Sequence, residues 1–255
     1  MVQLDATHFS RDSTSELSAA LNKPESFKFL YWPFNAVAST SREILEFGQA
    51  KWENLAPPGN WDEEKLKTPF HCLPVLYIKS QNGKDIVLSE TSVIEQYLAK
   101  TFGLLGDNDY EENLIKIFHS SSGAIQSSFA EGVTWERSEA KASHFTFFKQ
   151  VTLPRWIQTH EKHLADNGNN GHYVGNKLSL ADIRTANAIE HFALQPEGPE
   201  LMEIIGKSEA LSKVRQAVAK DVNIAAWRSG DLCKRLYQDS VGFFANPFAV
   251  VLPSE

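Results

Sequence analysis

The chain has 255 residues, 42% of them apolar and 22% charged, which suits an ordinary globular protein and is long enough for two compact domains. A formal charge of -7 without a basic cluster gives no electrostatic footprint for nucleic acid, and no run approaches the roughly 18 apolar residues of a membrane span. With Cys72 and Cys233 as its two cysteines, the chain carries no disulfide framework, which points to a reducing, cytoplasmic setting.

Residues 1–26 show no sustained hydrophobic period and no signal-peptide core, so a loosely attached N-terminal extension is expected there. The aromatic run FKFLYWP at 27–33 stops at proline, as a buried strand does. Over 38–49 the spacing of Ile44, Leu45 and Phe47 predicts a helix, and a second strand is expected at 50–56, before the breakers PPGN. Residues 74–79 and 85–88 read as two strands joined by a turn at Asn82-Gly83, the strongest short hairpin signal. A helix follows at 89–101. The order is βαβ, then ββα.

After Gly106 the pattern becomes helical, with helices expected at 109 to about 135, 142–165, 180–192, 199–206 and 208–221, and with DNGNNG at 166–171 as punctuation. Ser179 followed by Asp182, with Leu178 ahead of it, is the pattern of a capping box with a hydrophobic staple, which starts a helix and performs no chemistry.

Four places have the residue types for chemistry. Pro74 stands against the apolar run Val75-Leu76-Tyr77-Ile78, although proline has no N–H to give a sheet. Either Leu73-Pro74 is a cis bond that turns the Leu73 main chain outward, or it is a trans bond at an edge strand. Glu90 and Thr91 open a helix, where free N–H groups and the dipole favour a carboxylate ligand; the plainer alternative is a Ser89 cap with Glu90 complementing the dipole. Trp61 and Lys65, four apart, present two donors on one helical face, or else a half-buried indole beside a solvated ammonium. Tyr31 ends the first strand, either as a hydrogen-bond donor to a ligand or as a packed aromatic.

The words LYWPFNAVASTSREIL, NWDEEKLKTPFHCLPVL, LSETSVIEQYLAKTFGLLG and HYVGNKLSLADI, in this order and spacing, resemble the cytosolic glutathione S-transferase family over roughly residues 27–230, closest to the tyrosine-using, sigma-like branch. The resemblance implies an α/β plus all-α fold: a thioredoxin-like glutathione-binding domain at 27–105 after the 1–26 extension, then an all-helical domain at 106–255 with the acceptor pocket and a C-terminal tail. It implies glutathione as cofactor, with its cysteinyl unit paired to Leu73 beside a cis Pro74, its γ-glutamyl end at Glu90 and Thr91, and its glycyl carboxylate at Trp61 and Lys65. Tyr31 would activate the thiol by donating to the sulfur, with Asn35 as the second choice. Val37 stands where the family has arginine, Ala36 where it has glycine, and Cys72 where it has glutamine; Cys72 reads as packed and unreactive.

The activity implied is transfer of glutathione to an electrophilic apolar small molecule, as in detoxification. Two alternatives are a glutathione-dependent cis/trans isomerase and a non-catalytic binding or scaffold protein of the same fold. A homodimer is also implied. The acceptor pocket is expected to be lined by residues after the first strand, by the long helix near 118–129 and by the C-terminal segment with Trp227, Phe243 and Phe244, with Ser120 to Gly123 either loosening that pocket or serving a helix crossing. No metal site is expected: His160 and His163 share a helical face without a third ligand and read as a solvated surface.

Overall fold

The computed structural model describes residue 9 and residues 13–248, which fall into two compact units, Met1–Phe102 and Gly103–Glu255. The first unit is built on a four-stranded sheet of order β2-β1-β3-β4, from β1 (Pro24–Leu30), β2 (Trp52–Leu55), β3 (Val75–Ser80) and β4 (Asp85–Ser89). β1 runs parallel to β2 and antiparallel to β3, and β3 is antiparallel to β4. Phe27, Phe29 and Leu30 on β1 and Val75, Leu76 and Ile78 on β3 are buried, so the two central strands carry the core of this unit. Helices α1 (Thr14–Leu21), α2 (Ser39–Phe47), the single turn α3 (Trp61–Glu64) and α4 (Thr91–Thr101) complete it. At the end of α2 only glycine fits: a Cβ on Gly48 would stand 2.2 Å from the Phe102 ring. Together these elements form the expected thioredoxin-like layer.

The N-terminal extension needs correcting. The strand expected to start at Phe27 begins at Pro24, inside the 1–26 segment, with proline at the first strand position where its missing N–H costs nothing. α1 precedes it and is held by Tyr97, whose hydroxyl donates to the Leu21 carbonyl at 3.0 Å. It escapes a periodicity search because Ala20 is its one buried residue.

The second unit is helical. α5 (Asp109–Phe129) continues into a π-helical turn at Ala130–Thr134, so the helix expected to reach about 135 widens before its end. The helix expected over 142–165 is present as α6 (Ala140–Phe147), a second π-helical turn at Phe148–Thr152, and α7 (Leu153–Asp166). This second wide turn lies just ahead of Pro154, which has no N–H for the regular ladder. α8 (Leu180–Ala193), α9 (Gly198–Ile205) and α10 (Glu209–Lys220) follow, then α11 (Val222–Ser229) and α12 (Asp231–Ala245), two helices within what the sequence suggested was a tail.

α8 is the axis of this unit, buried at nearly every position from Leu180 to Ile189. Its start is the expected capping box: Asp182 accepts from the Ser179 N–H at 2.9 Å and, with its other oxygen, from the Tyr173 N–H at 2.9 Å. Where α5 crosses α8, the Ser122 and Thr185 hydroxyls meet at 2.8 Å and Gly123 lies under the Arg184 guanidinium, so the small residues serve the crossing.

The histidine reading is overturned. His160 is 1% exposed, with Nε2 2.9 Å from the Ser121 hydroxyl and Nδ1 2.5 Å from the Tyr173 hydroxyl, because the apolar stripe of α7 rotates it inward beside Trp156, Ile157 and Leu164. Burial, reinforced by His163, pushes its pKa down to about 3; burial, reinforced by Arg184, does the same to His191 on α8.

Both imidazoles stay neutral in the fold while the unfolded chain protonates them near pH 6.5. Their contribution is therefore complete above that pH and is lost as pH falls toward the folded value. Between pH 7 and 5 each should take roughly 1–2 kcal/mol from stability. Urea denaturation across this range should show the loss, with a shallower slope in His160→Gln; equal slopes in the two proteins would contradict it.

Candidate functional site

Strand register gathers the sequence-predicted residues. Leu30 pairs with Leu55 on one side and with Val75 on the other, and Val75 pairs with Ser89. Tyr31 follows Leu30, Pro74 precedes Val75, and Glu90 and Thr91 follow Ser89, so these residues share one end of the sheet. At this end β1, β2 and β4 finish and β3 starts. Ends of this kind, where strand carboxyl termini meet helix amino termini, are where open α/β sheets hold ligands.

Tyr31 is 7% exposed; its N–H donates to the Leu55 carbonyl at 3.1 Å and its ring meets that of Phe34 edge-on, 6.0 Å between centroids. Trp32 meets Trp61 edge-on at 5.0 Å, joining the loop after β1 to α3. Trp61 is half-buried, and the side chain of Asn60 caps α3 by accepting from the Asp62 N–H. Lys65 lies in the following 3₁₀ turn with its ammonium paired to Asp62. The structure thus ties the indole to Trp32 and the ammonium to a carboxylate.

The Leu73-Pro74 bond is cis, and Pro74 is buried at the head of β3. Among the described residues neither the N–H nor the C=O of Leu73 has a backbone hydrogen-bond partner. The side chain of Leu73 packs on the cluster of Leu30 and Val75 with Leu55, Tyr77 and Val87. Cys72 is partly buried; desolvation and then the nearby Glu90 carboxylate raise its pKa, which keeps the thiol protonated and a poor nucleophile.

Glu90 has φ 70° and ψ 123°, a conformation that glycine takes far more readily. Its carbonyl nevertheless accepts from the Ile94 N–H at 3.0 Å, so the residue launches α4 and leaves the N–H groups of the first turn directed past Thr91.

Sequence reasoning missed Arg42. It is the largest of the fully buried side chains, 1% exposed on α2. Nη1 donates to the Phe34 carbonyl at 2.7 Å and lies 3.5 Å from Asn35 Oδ1; Nη2 donates to the Trp32 carbonyl at 3.0 Å and Nε to Asn54 Oδ1 at 2.9 Å. The guanidinium stands 5.8 Å and 5.7 Å from the ring centroids of Phe29 and Tyr31. The signal was a lone cation inside the helical word STSREIL, two positions before the buried Ile44. Asn35 is a partner of this guanidinium, and Ala36 beside it has φ 49°, in the left-handed region that favours glycine.

Of the aromatic residues expected to line an acceptor pocket, Phe118, Phe129, Phe243 and Phe244 are buried. An open cavity of about 590 Å³ lies within the helical unit between the last turns of α5 and α6, walled by Ser127, Ser128, Glu131, His144, Phe147 and Phe148. Both π-helical turns border it. No cluster of three or more metal-ligating side chains occurs among the described residues, and no described helix is long and apolar enough to cross a membrane.

A thioredoxin-like layer with a ligand-ready sheet end, followed by a helical unit around one buried helix, defines a glutathione-transferase-type fold. Comparison with known proteins agrees. Residues 125–231 match the family model described as glutathione S-transferase, C-terminal domain. S-crystallin SL11 of Nototodarus sloanii is 27% identical over 168 residues, 66% of this chain and 77% of the relative; a probable glutathione S-transferase 6 of Caenorhabditis elegans is 22% identical over 201 residues, 76% and 95%. The structure of prostaglandin synthase D of Nilaparvata lugens superposes with a TM-score of 0.69 at 24% identity, covering 81% of this chain and 98% of that one. The chain is thus similar to cytosolic glutathione S-transferases, through the family model in its helical unit and through these relatives over about two thirds to three quarters of its length.

The strained backbone at Glu90 yields a test. Glu90→Gly removes the Cβ clash and should stabilise the first unit by about 1 kcal/mol, read as a higher denaturation midpoint. A lower midpoint would mean that the glutamate side chain supports the fold more than its backbone strains it.

Proposed function

We propose that this protein is a glutathione transferase that binds glutathione along the sheet end and activates its thiol at Tyr31 for attack on an electrophilic, largely apolar small molecule. The observation that carries this reading is the strand register, which brings Tyr31, Leu73-Pro74 and Glu90-Thr91 to one edge. The cysteinyl unit pairs with the free N–H and C=O of Leu73 as a short added strand. The γ-glutamyl carboxylate takes the Thr91 hydroxyl and N–H at the start of α4, and Glu90 pairs with its ammonium. The glycyl carboxylate lies toward Trp61 and Lys65, where it competes with Asp62 for the ammonium.

Chemistry follows from one hydrogen bond. The Tyr31 hydroxyl donates to the sulfur and favours thiolate over thiol, whose ordinary pKa of about 8.5 leaves only a few per cent ionised at pH 7. The thiol proton leaves to solvent. The thiolate forms a C–S bond to the acceptor, and either a leaving group departs with the displaced electron pair or a proton is taken up at the neighbouring carbon. Two cysteines outside any disulfide fit work in the reducing cytoplasm, and detoxification suits this chemistry.

Tyr31→Phe should leave glutathione affinity nearly intact and raise the bound thiol's pKa, followed by thiolate absorbance against pH; Asn35→Ala should do less. Glu90→Ala and Thr91→Ala should each weaken binding by about 1.5–3 kcal/mol. A larger pKa rise in Asn35→Ala moves activation to Asn35, and unchanged affinity in both helix-end variants removes the binding mode. Product mass separates the remaining readings. Conjugation adds one tripeptide, isomerisation changes alkene geometry without consuming glutathione, and binding without turnover marks a scaffold protein.

The reading extends to a homodimer, as the family resemblance implies. Sedimentation at micromolar concentration should show about twice the 28.6 kDa chain mass; a single-chain mass would remove the dimer.

A further inference from the structure

The loop after β1 carries Tyr31 on one side and Asn35 on the other, and it has to hold a phenol hydroxyl within hydrogen-bond reach of a sulfur. No regular ladder does this: beyond Leu30 the main chain is tied by the bond from the Tyr31 N–H to the Leu55 carbonyl and by the bond from the Ala38 N–H to the Asn35 carbonyl, both at 3.1 Å. One side chain ties several points of the loop at once. Arg42 donates to the carbonyls of Trp32 and Phe34, reaches Asn35 Oδ1, and through Nε fixes the whole arrangement to Asn54 on β2. A guanidinium is a rigid planar fork, so these acceptors are set relative to one another as well as to the helix. Its plane also backs the Tyr31 ring at 5.7 Å. Where the resemblance expects an arginine, the chain has Val37; the buried cation enters five residues later, from inside α2.

We infer that Arg42 is a positioning residue for thiol activation: it fixes the 32–35 loop so that the Tyr31 hydroxyl stays on the sulfur, without itself touching glutathione. This rests on the reading of Tyr31 as the thiol-activating group. The binding contacts for the tripeptide lie on other elements, the head of β3, the start of α4 and α3. Loosening the loop therefore acts on the sulfur and spares affinity.

Arg42→Lys keeps the charge but loses the fork, and Asn54→Ala removes only the Nε anchor and leaves the arginine in place, so one folded variant is secured even where Arg42→Lys unfolds. Each variant is compared with wild type for thermal midpoint, glutathione dissociation constant, kcat, KM and bound-thiolate absorbance against pH. The expected result is a several-fold fall in kcat below neutral pH with KM for glutathione little changed, and a bound-thiol pKa displaced upward. Placed on a Tyr31→Phe background, either change should add little further displacement, because both act through one hydroxyl. A lower midpoint with an unmoved bound-thiol pKa in both variants would reduce Arg42 to fold support and overturn the inference. Fully additive pKa shifts in the double variants would also overturn it, since the two groups would then act independently. Failure of Tyr31→Phe alone to move the pKa instead removes the reading of Tyr31, which this cycle reports separately.

Discussion

Burying a guanidinium is expensive unless its N–H groups find acceptors and its flat faces find something polarisable. At Arg42 both conditions are met by pieces of chain far apart in sequence: two carbonyls of an irregular loop, an asparagine on β2, and two aromatic rings on or just past β1. The constraint works in both directions. The buried cation draws its acceptors from the loop, and the Trp32 and Phe34 carbonyls draw their donors from the cation. Local irregularity at the sheet end is therefore as determined as the sheet itself, which is what a site needs from non-regular backbone.

The helical unit solves a similar problem with a carboxylate. Asp182 is fully buried at the start of α8, where it completes a reciprocal cap with Ser179 and takes the Tyr173 N–H and His172 as well. It thereby ties the irregular stretch 172–179 to the helix that most of the unit packs around. In each unit a buried charged side chain satisfied largely by nearby main chain fixes loops that hydrophobic packing alone would leave free to slide.

Legibility in the sequence followed the range of the determining interaction. The hairpin at Asn82-Gly83, the strands and the Ser179–Asp182 cap are set by neighbours within a few residues, and all could be read directly. Tyr31, Leu73, Pro74, Glu90 and Thr91 could be named because each borders an element end, but their shared edge depends on register, which no local pattern reveals. Arg42 and His160 were hidden for the opposite reason. Polar residues on amphipathic helices default to the solvent face, and only tertiary packing shows that these two turn inward. Trp61 and Lys65 were named from their four-residue spacing, which could not show that Asp62 would hold the ammonium.

The two π-helical turns bear on how residues in the helical unit can be compared with those of relatives. A turn closed by a hydrogen bond to the fifth residue back, as from the Trp135 N–H to the Ala130 carbonyl at 2.8 Å, takes one residue more than a regular turn. Each such turn therefore rotates everything beyond it by about 100° relative to a helix lacking it. A residue in α7 aligned by sequence to a pocket-lining position elsewhere can face a different neighbour here while its helix occupies the same place. Assigning acceptor contacts beyond residue 130 thus calls for matching backbone positions in space, with the extra residue of each wide turn counted out before any side chain is equated.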